Sequence, residues 1–379
     1  MAARNIVSRV AARGSIRVMP GSPSPTADVH RRRLAAQLLA GPPARGAGAV
    51  AERLLAVQAQ DPRGARLAIR ARTAGLTVAD VDRDLTQERS LVITWLNRGT
   101  LHLVRSEDYP WLQALMTPPL FRRTQTRLAQ ENVSPRQAEM GVAVVERALA
   151  GEGPLIRAQL RERLDCADVP TAGQALVLLL GLACLRGIAV RGPMAGREQA
   201  FALVRDWLGP TEPVDRDAAL AELARRYLAA HGPADDRDLA RWTGLPLRDV
   251  RAGLGAIASE LTERLDGLLD LARRAREPAP EPPPPRLLGA FEPVLLGWVS
   301  REPLIGAAEQ QLVTDNGIFR AFALVRGRAV ATWKLSGERV ALQPFARITC
   351  AETAALERDA DDVVRFLAGD RAASRRSGA

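Results

Sequence analysis

An internal repeat constrains the fold of this chain more than any other feature. Gly153-Pro154-Leu155-Ile156-Arg157-Ala158-Gln159-Leu160 and Gly232-Pro233-Ala234-Asp235-Asp236-Arg237-Asp238-Leu239 keep a Gly-Pro step and a leucine at the same offsets. A long helical pattern precedes each copy, Pro135–Leu149 and Asp217–Ala230, and a third helix follows each, Gly173–Leu185 and Pro246–Ile257. Proline preset near the helical φ suits the tight entry to the middle helix. After the first copy, Ile188-Ala189-Val190-Arg191 and Gln199-Ala200-Phe201-Ala202-Leu203 flank a Gly/Pro-rich tip and predict a hairpin wing.

The two third helices differ in what they offer a partner. A helix that reads DNA presents polar side chains to base edges. The run Ala175–Leu185 offers almost none, so it is expected to be buried scaffold, and it is too short to cross a bilayer. The helix beginning at Pro246 carries Arg248, Asp249 and Arg251 and remains a candidate DNA contact.

Upstream, His30–Ala40 and Ala49–Ala59 read as helices around the loop 41–46, and Thr77–Leu85 opens with a threonine cap and an acidic first turn. Val92–Trp95 and Thr100–Val104 alternate around Asn97-Arg98-Gly99 and predict a further hairpin, with Thr100 and His102 on one face. Downstream, the proline-rich Glu277–Pro285 is a stiff connector. Val294–Trp298, Gln311–Val313, Ile318–Val325, Arg328–Trp333 and Val340–Leu342 read as short strands, and Glu352–Leu367 as an amphipathic capping helix before a frayed tail from Asp370. The fold class expected is α+β, mainly α: tandem winged-helix units followed by a small C-terminal β-barrel-like domain. Its parts are a disordered extension or overlong start at 1–25, winged helices at 26–115, 116–210 and 211–276, a linker at 277–286, and a barrel with its helix at 287–370.

The constellation that looks chemical lies in Leu54–Arg66. Val50, Leu54 and Val57 recur at helical spacing, and Pro62 disfavours helix at the residue before it, so a helix is expected to end between Gln58 and Asp61. In extended backbone Gln58 and Gln60 share a side and could face one cavity. Arg63, Arg66 and Arg70 would give the next helix a basic face suited to a phosphate-rich ligand. By spacing alone the commoner role of such glutamines is solvation or capping, and of such arginines a wet face.

Gln58-Ala59-Gln60-Asp61-Pro62-Arg63, followed by Trp95-Leu96-Asn97-Arg98-Gly99-Thr100-Leu101-His102-Leu103-Val104, resembles the AlkZ-like family of DNA glycosylases over most of the chain, from about Thr26 to Lys334. The resemblance implies tandem winged helices with a C-terminal barrel, removal of alkylated purines and, in some members, unhooking of interstrand crosslinks. It also implies that Gln58 and Gln60 are catalytic. A related branch carries aspartate at the second motif position, so Gln60 places this chain in the glutamine branch. Where relatives have Phe-Asp-Pro and a Gly-Thr-Trp-Arg-like strand, this chain has Phe291-Glu292-Pro293 and Ala331-Thr332-Trp333-Lys334, which keeps charge at both places. Trp95, Thr100 and His102 are candidates to line the cleft, His102 being as readily a hydrogen-bonded structural histidine. Arg63, Arg66, Arg98, Arg326 and Arg328 are candidate DNA contacts, although arginines at a hairpin tip are commonly just solvated.

Net charge of +10 favours a polyanionic partner, double-stranded DNA carrying alkylated bases or crosslinks first. Lys334 is the one lysine, which leaves few amines for strand cleavage through a Schiff base and favours a monofunctional glycosylase. Cys166, Cys184 and Cys350 are widely spaced and, like the three histidines, show no metal spacing, so no cofactor, no metal and a cytoplasmic, monomeric protein are expected. Purines alkylated at N7 or N3 already carry positive charge and leave as neutral molecules. Neutral amides that orient a water, with Gln60 on the water and Gln58 holding the sugar or Gln60 itself, would then suffice. The competing reading is a non-catalytic winged-helix transcriptional regulator. A metal-dependent nuclease comes last, for want of a carboxylate and histidine cluster.

Overall fold

The computed structural model describes residues 25–376 except Arg197 and Ala279. The extension expected over residues 1–25 lies outside them but for Pro25, which opens the helix Pro25–Ala36. The chain is mixed α/β and about half helical.

Local chemistry sets the helix starts. Ser134 and Gln137 form a capping box around Pro135 and begin Pro135–Glu152. Asp215 caps Arg216–His231, and Asp235 accepts from Asp238 N to cap Asp236–Thr243, which ends at Gly244 with φ 81°. Each of the two repeat copies is followed by a hairpin: Ala189–Ala195 with Glu198–Leu203 after the helix Ala175–Leu185, and Leu261–Glu263 with Leu269–Leu271 after Leu247–Ala256. Every residue of Ala175–Leu185 except Val177 is buried.

The central sheet has five strands in the order Val57–Gln58, Leu101–Arg105, Leu91–Trp95, Ala189–Ala195, Glu198–Leu203. Two hairpins distant in sequence therefore share one sheet, joined at Ile93 and Arg191. On one face Val92 and Val104 join a core with Tyr227, Trp242 and Trp298. On the other, Ile93 and Leu103 join Ile69, Leu287, Trp333 and Phe366.

The C-terminal sheet is open rather than a closed barrel. Its order is Arg339–Pro344, Arg328–Ser336, Phe322–Val325, Arg286–Leu288, and among the described residues the first and last do not pair. Two stretches expected as strands are turns: Pro293–Leu295 is 3-10, where Pro293 has no N–H for a ladder, and Glu309–Leu312 is one helical turn. The last helix runs from Cys350 to Arg376, past the expected stop at Leu367, and sends Leu356, Val363 and Phe366 into the core. It is tied to the helix Pro62–Arg70 by Arg70, which is bonded to Asp359, Asp362 and the carbonyl of Leu287. Gly64 of the same helix lies so close to Ala290 that an added Cβ would stand 2.2 Å from its carbonyl oxygen.

Candidate functional site

The glutamine motif sits on extended backbone, but the helix before it stops earlier than Pro62 alone would require. Ala47–Leu54 ends at Leu55, which has φ 66° and ψ −46° and is fully buried. That backbone region is costly for a branched side chain. Strand pairing compensates: Val57 lies opposite Leu103 and Gln58 opposite His102, while Ala59 N donates to Leu101 O at 2.8 Å. Asp61 then caps the next helix by accepting from Gly64 N at 2.8 Å, with Pro62 as its first residue.

In neighbouring antiparallel strands, directly opposed residues put their side chains on the same face. Gln58, His102 and Thr94 are opposed in turn and form a row across three strands. Gln58 is 5% exposed and its Oε1 finds no hydrogen-bond partner. Thr94 Oγ1 is likewise unpartnered, as are both side-chain polar atoms of Asn97 in the connecting turn. Gln60 is exposed, and its Oε1 accepts only a long bond of 3.4 Å from Leu101 N.

His102 is neutral in this setting. Burial, and then the charge of Arg98, push its pKa down to about 3 against a smaller opposing effect of the Thr100 carbonyl, 3.0 Å from Nδ1. A neutral ring that donates from Nδ1 to that carbonyl keeps Nε2 as an acceptor. Thr100 itself closes the turn by donating to Asn97 O at 3.1 Å. Trp95 departs from the cleft expected for it. It belongs to the opposite sheet face, with its ring against Gly181 of the apolar helix.

The arginines divide into two groups. Arg63 is exposed on the helix that follows the motif. Arg66 is turned inward: its Nε donates to Asp82 at 2.8 Å and Nη1 to Pro62 O, and Arg70 is buried in the contacts given above. The expected basic face therefore shrinks to Arg63, because the other two guanidiniums hold the helix in place. Arg98 stands at φ 57° and donates from Nη1 to the carbonyls of Arg241 and Trp242, at the C-terminal end of Asp236–Thr243 where a cation is favoured. Burial, with Arg241 and Arg301 nearby, lowers its pKa to about 10, which still leaves it charged at neutral pH. Arg326 and Arg328 remain exposed at a hairpin tip whose Gly327 carbonyl is held by His30 at 2.6 Å. They lie near Glu352 and Glu302, at 3.2 and 3.9 Å.

Thr94 and Asn97 are the residues that sequence reasoning missed. The register around the turn Asn97-Arg98-Gly99 already pairs Thr94 with His102, so the signal was available in the hairpin. The cavity beside Arg63 and Arg191 and the smaller one beside Arg72 and Gly75 are not lined by Gln58, Gln60 or His102. Among the described residues no group of three or more His, Cys, Asp or Glu side chains could hold a metal ion, and no helix is long and apolar enough to cross a membrane.

A basic, about half-helical scaffold that carries a buried amide at Gln58 and an exposed one at Gln60 suits a class of protein that acts on DNA. The comparisons name it: the profile of the DNA glycosylase AlkZ-like family matches residues 51–366, and the chain belongs to that family. The interstrand DNA cross-link repair glycosylase of Streptomyces sahachiroi is 30% identical, over 83% of this chain and 89% of that protein. The solved structure of Streptomyces sahachiroi DNA glycosylase AlkZ superposes with a TM-score of 0.76 at 26% identity, covering 90% of this chain and 96% of that one. The protein is accordingly a DNA glycosylase, which decides against the non-catalytic regulator.

Proposed function

We propose that the protein hydrolyses the N-glycosidic bond of cationic alkylated purines, N7-alkylguanine and N3-alkyladenine, in double-stranded DNA, and that bulky adducts and interstrand crosslinks fall within its range. The observation that carries this reading is the buried, unpartnered amide oxygen of Gln58 in one row with neutral His102 and Thr94. Leaving a buried acceptor unpaired costs about 1–3 kcal/mol, and such a cost persists where a ligand or water completes the site.

Gln60 orients the attacking water. It is exposed and tied down only by its long bond to Leu101 N, so its amide can turn towards a water on the sugar. Gln58 holds the sugar side or Gln60 itself, and its oxygen presents partial negative charge where the deoxyribose becomes oxocarbenium-like. His102 stays neutral, its ring held by the bond from Nδ1 to the Thr100 carbonyl at 3.0 Å. None of these groups supplies a proton to the leaving base, which suits a purine that is already charged.

The two helical triplets, each followed by a hairpin, support reading 116–210 and 211–276 as winged-helix units; 26–115, with four helices before its hairpin, is read as a third, and 277–286 joins them to 287–370. Arg63, Arg326 and Arg328 contact phosphates, while Arg66 and Arg98 position the elements that carry the site. The protein acts as a monomer and uses no cofactor. The relative's crosslink repair favours the wider substrate range, since Gln60 lies on exposed surface where a flipped base need not be enclosed.

The test is a duplex with one N7-alkylguanine, incubated with protein and then treated with mild alkali. Alkali-dependent cleavage at the lesion by the native protein, absent with Gln60→Ala at unchanged DNA binding, is the expected result. Equal loss of binding and cleavage in the variant would instead make Gln60 structural.

A further inference from the structure

A cavity of about 480 Å³ opens between the helix Pro62–Arg70, the hairpin Ala189–Leu203 and the C-terminal helix, apart from the glutamine row. That volume is within the range of small-molecule sites. Its chemistry is asymmetric. One part of the lining is apolar, with Val78, Met194, Leu335 and Leu367. The other is rich in donors: Arg157 is exposed there, Gln199 is 9% exposed with an unpartnered Nε2, and the half-buried Arg191 has an unpartnered Nε. The strand carrying Arg191 loses regular register between Arg191 and Met194, the kind of irregularity that re-aims side chains beside binding sites.

Charge narrows the ligand further. The lining holds four arginines, Arg63, Arg66, Arg157 and Arg191, against the carboxylates Asp82, Glu198 and Glu338, and Asp82 is already paired with Arg66. A single negative charge is favoured in such a site and a polyanion is not, so the DNA backbone is a poor fit. We propose that this cavity binds a small amphipathic organic monoanion, its acid group at Arg157, Arg191 and Gln199 and its apolar body against Met194, Leu335 and Leu367. The acid-binding groups Arg157, Arg191 and Gln199 have no part in the proposed excision, although Arg63 and Arg66 at the rim of the cavity do.

The test is fluorescence titration with 1-anilinonaphthalene-8-sulfonate, an aromatic monoanion, with inorganic phosphate as competitor. The expected result is saturable binding of one probe per protein. Ala368→Trp, at an exposed position of the lining, should block it, and Arg157→Glu should weaken it by about tenfold or more. Both positions are exposed, and thermal melting checks that both variants fold. Phosphate should displace the probe poorly, since it cannot use the apolar wall. Absent or unsaturable binding, binding unchanged in either folded variant, or full displacement by equimolar phosphate would each overturn the assignment.

Discussion

Gln58→Met replaces the amide by an apolar chain of similar length and asks whether the unpartnered oxygen is held open for substrate. In the free protein that oxygen lies on a residue only 5% exposed and makes no hydrogen bond. Removing an unsatisfied buried acceptor while keeping the volume should stabilise the fold by roughly 1–3 kcal/mol. For a chain of this size that raises the melting midpoint by roughly 1–4 °C. If Gln58 faces the developing charge as proposed, single-turnover excision should also fall by about a hundredfold or more. Paired measurements, thermal melting without DNA and single-turnover excision on an N7-alkylguanine duplex, should therefore move in opposite directions. A variant that is destabilised by more than about 1 kcal/mol and loses activity in proportion would refute the reasoning, because Gln58 would then be a bonded structural residue.

Stability should fall in mild acid. His102 and His231 are 3% and 1% exposed, and burial, the largest cause of each shift, takes both to about 3. Below pH ~6.5 the unfolded chain binds protons that these two folded residues do not, at about 1.4 kcal/mol per unit for each. By pH 5 the combined loss is roughly 4 kcal/mol; urea melts between pH 5 and 7.5 should show it, with a shallower slope in His102→Gln, and equal stability across that range would contradict the neutral state of the two buried histidines. Gly64→Ala should cost about 1–3 kcal/mol because the new methyl meets Ala290 O at 2.2 Å, and an unchanged melting midpoint would show that the two segments do not pack this closely. Arg326→Ala and Arg328→Ala should each reduce the salt dependence of DNA binding by about one counterion with little change in melting. Arg66→Ala should do the reverse, leaving the salt slope intact and costing about 1.5–3 kcal/mol through loss of its bonds to Asp82; a changed slope would return Arg66 to the DNA surface.

Local signals carried much of the fold. The capped start at Thr77, the apolar run Ala175–Leu185 and the turn at Asn97-Arg98-Gly99 all depend on neighbours within a few residues, and the structure follows them closely. Long-range pairing was not legible. Leu55 adopts its costly conformation because Val57 and Gln58 pair with a strand more than forty residues away, and the periodic Val50, Leu54 and Val57 could not reveal that. The same holds for the C-terminal sheet, where Val294 and Leu312 fall in helical turns and Val313 makes an isolated bridge to Phe319 in place of a full strand. At the site, the spacing of Arg63, Arg66 and Arg70 was read as one basic face. Asp82, Asp359 and Asp362, distant in sequence, decide instead that two of the three point inward.

The most direct test of the account compares single-turnover excision of N7-methylguanine with that of 7-methyl-7-deazaguanine in the same duplex. The two bases have the same shape, but only the first carries a positive charge and leaves as a neutral molecule. If the glutamine pair works on bases already activated by their own charge, the native protein should bind both duplexes alike and excise N7-methylguanine alone. Comparable excision of the deaza base would contradict that mechanism, because it would require an acid that the row of Gln58, His102 and Thr94 does not contain.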